Sequence, residues 1–228
     1  MKLKMIIVLA LLITTGGAAQ AQIDKDLNAF TQLDIEGYFK VKLVKGSNNH
    51  ITIDGPSRLM EKVDIEEGGE ELTLRLKPHP NNYEGEPLDV VLSYNGSIEE
   101  IEASLGAELN CKEVLKAQRM DIAAHTGGIL ELDVETEDLE VKASTGGIIT
   151  LNGKVDYQEV KVNTGGIYNA YQLQSNQIEV KANTGGIAHL QVEQKMDAEA
   201  NTGGMINYRG NPTVLITDTS LGGMIEGN

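Results

Sequence analysis

Thr126-Gly127-Gly128-Ile129 returns as Thr145-Gly146-Gly147-Ile148, Thr164-Gly165-Gly166-Ile167 and Thr184-Gly185-Gly186-Ile187. It closes as Thr202-Gly203-Gly204-Met205 and Leu221-Gly222-Gly223-Met224. The spacings are 19, 19, 20, 18 and 19 residues, and a degenerate copy, Leu105-Gly106-Ala107-Glu108, lies 21 residues before the first. A fixed period with a glycine pair at one phase marks a solenoid, in which each turn is too small to bury its own apolar face and must stack on its neighbours. Between the glycine pairs the chain alternates apolar and polar residues, as in Glu159-Val160-Lys161-Val162 and Ile178-Glu179-Val180-Lys181-Ala182. Period two means strands with one face inward. The expected fold is all-β, a parallel β-helix or β-roll with turns of about 19 residues.

Aligning the turns gives columns. The residue after each glycine pair is Ile129, Ile148, Ile167, Ile187, Met205 and Met224. Three positions on come Leu132, Leu151, Ala170, Leu190 and Tyr208. Four before the Thr column stand Val141, Val160, Val180, Ala198 and Thr217; two before it stand Ala143, Val162, Ala182, Ala200 and Thr219. All four columns are expected to face inward. Lys142, Lys161, Lys181, Glu199 and Asp218 form an outward column beside Glu140, Glu159, Glu179 and Asp197, so acidic and basic ladders would offset one another. The glycine pairs read as structural corners, because glycine reaches positive φ without steric cost. The short polar residues before them, His125, Ser144, Asn163, Asn183, Asn201 and Ser220, suit turns.

The N-terminus reads as an export signal. Lys2 and Lys4 precede the apolar run Met5 to Ile13, and Ala19-Gln20-Ala21 is a small-residue cleavage site, so residues 1–21 are expected to be removed before Gln22. The apolar run is too short to span a membrane. The whole chain carries a formal charge of −15, and loss of the two lysines makes it more negative still. That balance opposes electrostatic binding to nucleic acid or an anionic membrane. Cys111 is alone, so it either pairs between chains or is a small buried side chain.

Residues 22–103 read as less regular strands continuous with the solenoid of residues 104–228. Leu33, Ile35, Val41 and Leu43 alternate with polar residues around Gly37, and Ile51-Thr52-Ile53 follows a turn-rich stretch. Val63-Asp64-Ile65 and Leu72 to Leu76 flank Gly68-Gly69 as a hairpin, Pro56 to Lys62 can form a short helix, and the proline-rich stretch from Lys77 to Pro87 is a loop. This export signal, the opening Phe30-Thr31-Gln32-Leu33-Asp34-Ile35-Glu36-Gly37-Tyr38-Phe39-Lys40-Val41 and the Thr-Gly-Gly-Ile turns together resemble the bacterial autotransporter-adhesin "head GIN domain" family, common in Bacteroidetes-type bacteria. The resemblance covers about residues 28 to 225. It implies an exported β-helix-like protein of the cell envelope, periplasmic, on the outer-membrane surface or extracellular, and brings no catalytic residues with it.

Chemistry is sparse. A calcium β-roll needs Asp after its glycines, and here aliphatic residues follow. His50, His79, His125 and His189 are scattered; on the column alignment His125 and His189 stand three turns apart, too far to share a metal. Glu66, Glu67, Glu70 and Glu71 read as solvated turn residues. Tyr157, Tyr168, Tyr171 and Tyr208 either cluster on one side or pack in core and rim. No nucleophile–base set or phosphate loop is present, and no cofactor or metal is expected. The sequence therefore points to a non-catalytic envelope or adhesion module for an unknown protein or glycan ligand. The alternative is a glycan lyase or hydrolase on a β-helix scaffold, built on paired carboxylates. The ends of such a stack expose unpaired strand edges, so a homo-oligomer, or cover by the N-terminal region, is a further expectation.

Overall fold

The computed structural model describes residues 20–77 and 87–228. The expected leader and proline-rich loop therefore lie almost wholly outside the described residues. In chain order the elements are β1 (Gln20–Asp26), β2 (Gln32–Glu36), β3 (Phe39–Lys45), β4 (His50–Pro56), α1 (Ser57–Met60), β5 (Val63–Gly68), β6 (Glu71–Leu76) and β7 (Leu88–Tyr94). There follow β8 (Glu100–Ser104), β9 (Glu108–Lys116), β10 (Arg119–Ala124), β11 (Ile129–Ser144), β12 (Ile148–Asn163), β13 (Ile167–Ala182) and β14 (Ile187–Ala200). The last elements are β15 (Met205–Arg209), β16 (Val214–Thr219) and β17 (Met224–Gly227).

The strands stack in parallel as a solenoid with two faces. One face runs β1-β4-β7-β3-β9, then the first halves of β11 to β14, then β15 and β17. The other runs β5-β6-β2-β8-β10, then the second halves of β11 to β14, then β16. Only the first rungs are antiparallel: β1 with β4, β4 with β7, and the hairpin of β5 with β6. The short helix α1 buries Leu59 and Met60 at that end. Lys25 of β1 reaches Glu67 of β5 at 2.6 Å, so the two faces are tied together there.

Between the faces lies a thin apolar core of stacked columns. Val141, Val160, Val180 and Ala198 are at most 1% exposed, as are Ala143, Val162, Ala182 and Ala200. Leu132, Leu151, Ala170 and Leu190 are fully buried in the facing sheet. Three members of these columns keep the register but are less covered: Tyr208 is half-buried, and Thr217 and Thr219 are exposed on the last rung.

One column was expected on the wrong face. Ile129, Ile148, Ile167, Ile187, Met205 and Met224 stand in register, yet they point outward; Ile129 is 38% exposed and Met224 45%. Leu130, Ile149, Tyr168, Ala188 and Ile206, one residue later, fill the core. The reason is parity. Ile129 and Leu132 are three apart in one continuous strand, so they must face opposite ways.

A polar trio lies within the core. Gln158 and Ser175 are fully buried, and Gln158 Nε2 donates to Ser175 Oγ at 2.5 Å. The Tyr168 hydroxyl donates to Gln158 Oε1 at 2.9 Å, and Ser175 Oγ donates to the Leu173 carbonyl at 3.3 Å. Burial alone pushes the Tyr168 phenol far above its ordinary pKa, so it stays a donor. Cys111 is buried, and burial raises its thiol to about 11, which leaves it protonated.

Candidate binding surface

Each turn bends at its Thr-Gly-Gly phrase, and the two glycines are there for different reasons. Thr126 and Gly127 have φ of 46° and 76°, and the Gly128 amide donates to the His125 carbonyl at 2.8 Å. Positive φ at both central positions is the type I′ turn. The same geometry recurs at Thr145, Thr164, Thr184 and Thr202. The first glycine has open space where a Cβ would stand; the second does not. A Cβ on Gly128 would meet the Ala103 carbonyl oxygen, in the rung before, at 2.1 Å. The turns are laced together as well: the Gly127 amide donates to the Thr145 carbonyl, and Gly146 to Thr164, at 3.2 and 3.3 Å.

The corner makes a ridge. Thr126, Thr145, Thr164, Thr184 and Thr202 stand exposed along it, one per rung, at steps of about 4.8 Å. A β-branched residue at positive φ is a steric outlier, so the sequence tolerates strain at a position whose side chain touches solvent. On one flank runs the outward aliphatic column from Ile129 to Met224. On the other run His125, Ser144, Asn163, Asn183, Asn201 and Ser220, bridged between turns by His125 to Ser144 at 2.7 Å and Asn183 to Asn163 at 3.2 Å. The aliphatic column opens at its N-terminal end into a groove of about 580 Å³, lined among others by Lys40, Lys42, Glu108, Lys112, Ile129 and Glu131. Further along this face a bulge in β13 carries Tyr171, whose ring lies 5.1 Å from that of His189, with the Arg209 guanidinium 4.0 Å above it. Burial and Arg209 lower the His189 pKa.

The opposite face carries the charge ladders. Glu140, Glu159, Glu179 and Asp197 are in register, beside Lys142, Lys161, Lys181, Glu199 and Asp218. Each lysine pairs within its own rung: Lys142 with Glu140 at 2.7 Å, Lys161 with Glu159 at 2.6 Å and Lys181 with Glu179 at 3.3 Å. Lys142 holds Glu140 below the ordinary carboxylate range. Alignment on the glycine phrase missed that the acidic column extends back to Asp121 and Glu100. There no lysine stands beside it; Ala123 and Glu102 occupy the neighbouring column. Burial, then Asp121 and Glu102, push Glu100 upward. Asp34, in register with Glu102, is pushed up to about 7 by burial and then by Glu36 and Glu102, and its Oδ1 has no hydrogen-bond partner. Arg75 takes Glu36 in a bidentate pair at 2.5 and 3.0 Å. A small pocket of about 260 Å³ beside this group is lined by Glu100, Glu102, Asp121, His125 and Glu140.

Other residues singled out in the sequence are dispersed. His125 lies on the charged face and His189 on the other; His50 pairs with Asp24 and Asp26 beside β1. Tyr168 is in the core, Tyr157 reaches Glu179 on the charged face, and Tyr171 is on the ridge face, so the tyrosines form no single platform. Glu67 belongs to the clasp with Lys25. Among the described residues no group of His, Cys, Asp or Glu is placed to hold a metal ion, and no helix is long and apolar enough to cross a membrane.

The model of one protein family, described as "Putative auto-transporter adhesin, head GIN domain", matches residues 29–212, from before β2 to just past β15. The chain belongs to this head GIN domain family. No curated protein matches it. Among solved structures it is similar to a "putative adhesin" from Bacteroides fragilis NCTC 9343, at TM-score 0.83 and 16% identity over 93% of this chain and 98% of that one. A "putative adhesin" from Parabacteroides merdae ATCC 43184 gives TM-score 0.68 and 18% identity, over 93% and 98% of the two chains. A "Putative lipid binding protein" from Parabacteroides distasonis ATCC 8503 gives 0.69 and 16%, over 92% and 96%. At such identities the likeness shows a shared fold.

Proposed function

We propose that this head GIN chain is an exported, non-catalytic envelope module that binds an extended surface ligand, a glycan or a polypeptide, along its corner ridge. Residues 1–21 act as the export signal, 22–103 form the irregular first part, and 104–228 the regular stack. The observation that carries the reading is the outward aliphatic column beside an exposed threonine column. Outer positions on a solvated sheet face are ordinarily polar, and a row of aliphatics there costs solubility without helping the core. A ligand that repeats or runs straight along the rungs would cover aliphatic and hydroxyl groups together. The test is an array of envelope glycans, host glycans, matrix proteins and lipids, probed with the parent and with Ile148→Lys/Ile167→Lys. Binding that the parent shows and the folded double variant loses supports the ridge; equal binding by both removes it.

A second reading rests on Asp34. A carboxyl that holds its proton to about 7, one rung from Glu102, fits a general acid for glycan hydrolysis. It predicts reducing ends released from a polysaccharide, with a pH-rate limb near 7 lost in Asp34→Asn. Absence of product across an envelope-glycan panel eliminates it.

A further inference from the structure

The two ends of the stack differ. At the N-terminal end the outer strands β1 and β5 carry Asp24, Lys25 and Asp26, and Asp64, Glu66 and Glu67, while α1 lies over the core. Charged residues on an edge strand deter further strand pairing. At the C-terminal end β16 pairs only with β14 and β17 only with β15, so among the described residues nothing lies on their outer edges. Val214, Leu215 and Ile216 are 45%, 45% and 50% exposed, Leu221 is 80% and Met224 45%. Leu215 continues the column of Leu139, Ile178 and Met196, which is buried on every earlier rung. Most of the large exposed hydrophobic side chains of the described residues lie on this rung, and its two strands hold one Asp, one Glu and no Lys.

We propose that this last rung docks on the same rung of a second copy, end to end about a two-fold axis, as a closed dimer. The occupant follows from charge and register. Head-to-tail stacking would set Asp218 and Glu226 against the acidic edge of β1 and β5, and like charges oppose it. Antiparallel pairing of β16 with its copy keeps Leu215 and Thr217 over the core when it is centred on Ile216 or Thr217. Both registers keep the two Asp218 side chains from facing each other. The apolar ends of the two cores then cover one another. A two-fold contact uses the same patch twice and closes, so it yields dimers and no filament.

A rung presents roughly 400 Å² from strand length and sheet spacing, about half of a standard interface side. Association is therefore weak, with a dissociation constant on the order of micromolar to tens of micromolar. Sedimentation of the full chain, purified from an exporting host, reads this directly. The mass doubles between about 1 and about 300 μM and stops at two. Ile216→Lys and, separately, Leu221→Lys weaken the dimer at least about tenfold, while Val91→Lys, equally exposed on another rung, leaves it unchanged. Thermal midpoints at low concentration confirm that each variant is folded; should Ile216→Lys unfold, Leu221→Lys carries the test. A monomer at every concentration, a dimer indifferent to both lysines, or masses that climb past two overturns the proposal.

Discussion

Gly166 passes so close to the Ala143 carbonyl that a Cβ built on it would stand 2.3 Å from the oxygen, whereas its neighbour Gly165 meets nothing within 4 Å. Gly165 instead holds a φ of 70°. The two alanine substitutions therefore fail differently. Gly165→Ala costs about 1–2 kcal/mol, the ordinary penalty of a left-handed backbone. Gly166→Ala must separate two rungs and costs more than about 4 kcal/mol, or prevents folding. Urea unfolding of both variants checks the order, and equal midpoints would contradict this division of labour.

Thr164 holds φ at 48° with a β-branched side chain. Asn tolerates that region better. Thr164→Asn is expected to stabilise by about 0.5–1 kcal/mol, or roughly 1–4 °C in thermal midpoint. A gain in stability together with a loss of ligand on the array would show why a strained residue is kept at an exposed corner.

Ile167 faces outward and Val160 faces the core at 1% exposure. Ile167→Lys is expected to cost about 1 kcal/mol, from the apolar area it half buries. Val160→Asp places an unpaired charge in the core and costs more than about 4 kcal/mol. Lys161→Ala, which removes an exposed pair with Glu159, costs less than about 0.5 kcal/mol. Chemical denaturation midpoints rank the three, and a large loss from Ile167→Lys would return that column to the interior.

Asp34 titrates near 7 when folded and near 3.8 when unfolded. Between these values the folded chain holds a proton that the unfolded chain has released, so stability falls as pH rises through this window. Asp34→Asn removes that dependence. The wild type should melt progressively below the variant as pH is raised from about 4 to about 7.5, and parallel curves would count against the shift. The lowered carboxyls of Glu36, Glu67 and Glu140 act with opposite sign, below pH 4.5.

Much of this was legible in the chain. The period gave the stack, the Glu140 and Lys142 columns gave the true register, and Gly68-Gly69 and Pro56 to Lys62 marked the hairpin and the helix. The face of Ile129 was misread although the signal was present: counting back by twos from Val134 through Leu132 reaches Leu130, not Ile129. Two features could not be seen. The antiparallel partners of β4 are chosen by long-range pairing that no local pattern encodes. Gln158 sits in a column otherwise filled by apolar residues such as Leu139, Ile178 and Met196, and counting back by twos from Val162 turns it inward; what no local pattern supplies is its partners, Tyr168 and Ser175, which come from the next rung.

That buried trio has a consequence for how the chain avoids misassembly. Turns of nearly equal length, bent by the same phrase, are close to interchangeable, and a stack shifted by one whole turn would match most of its aliphatic columns. It would also strand the Gln158 amide among hydrocarbon side chains, a cost of about 1–3 kcal/mol that the native order escapes. Three polar side chains thus act as a bar code between otherwise anonymous repeats, marking which layer follows which.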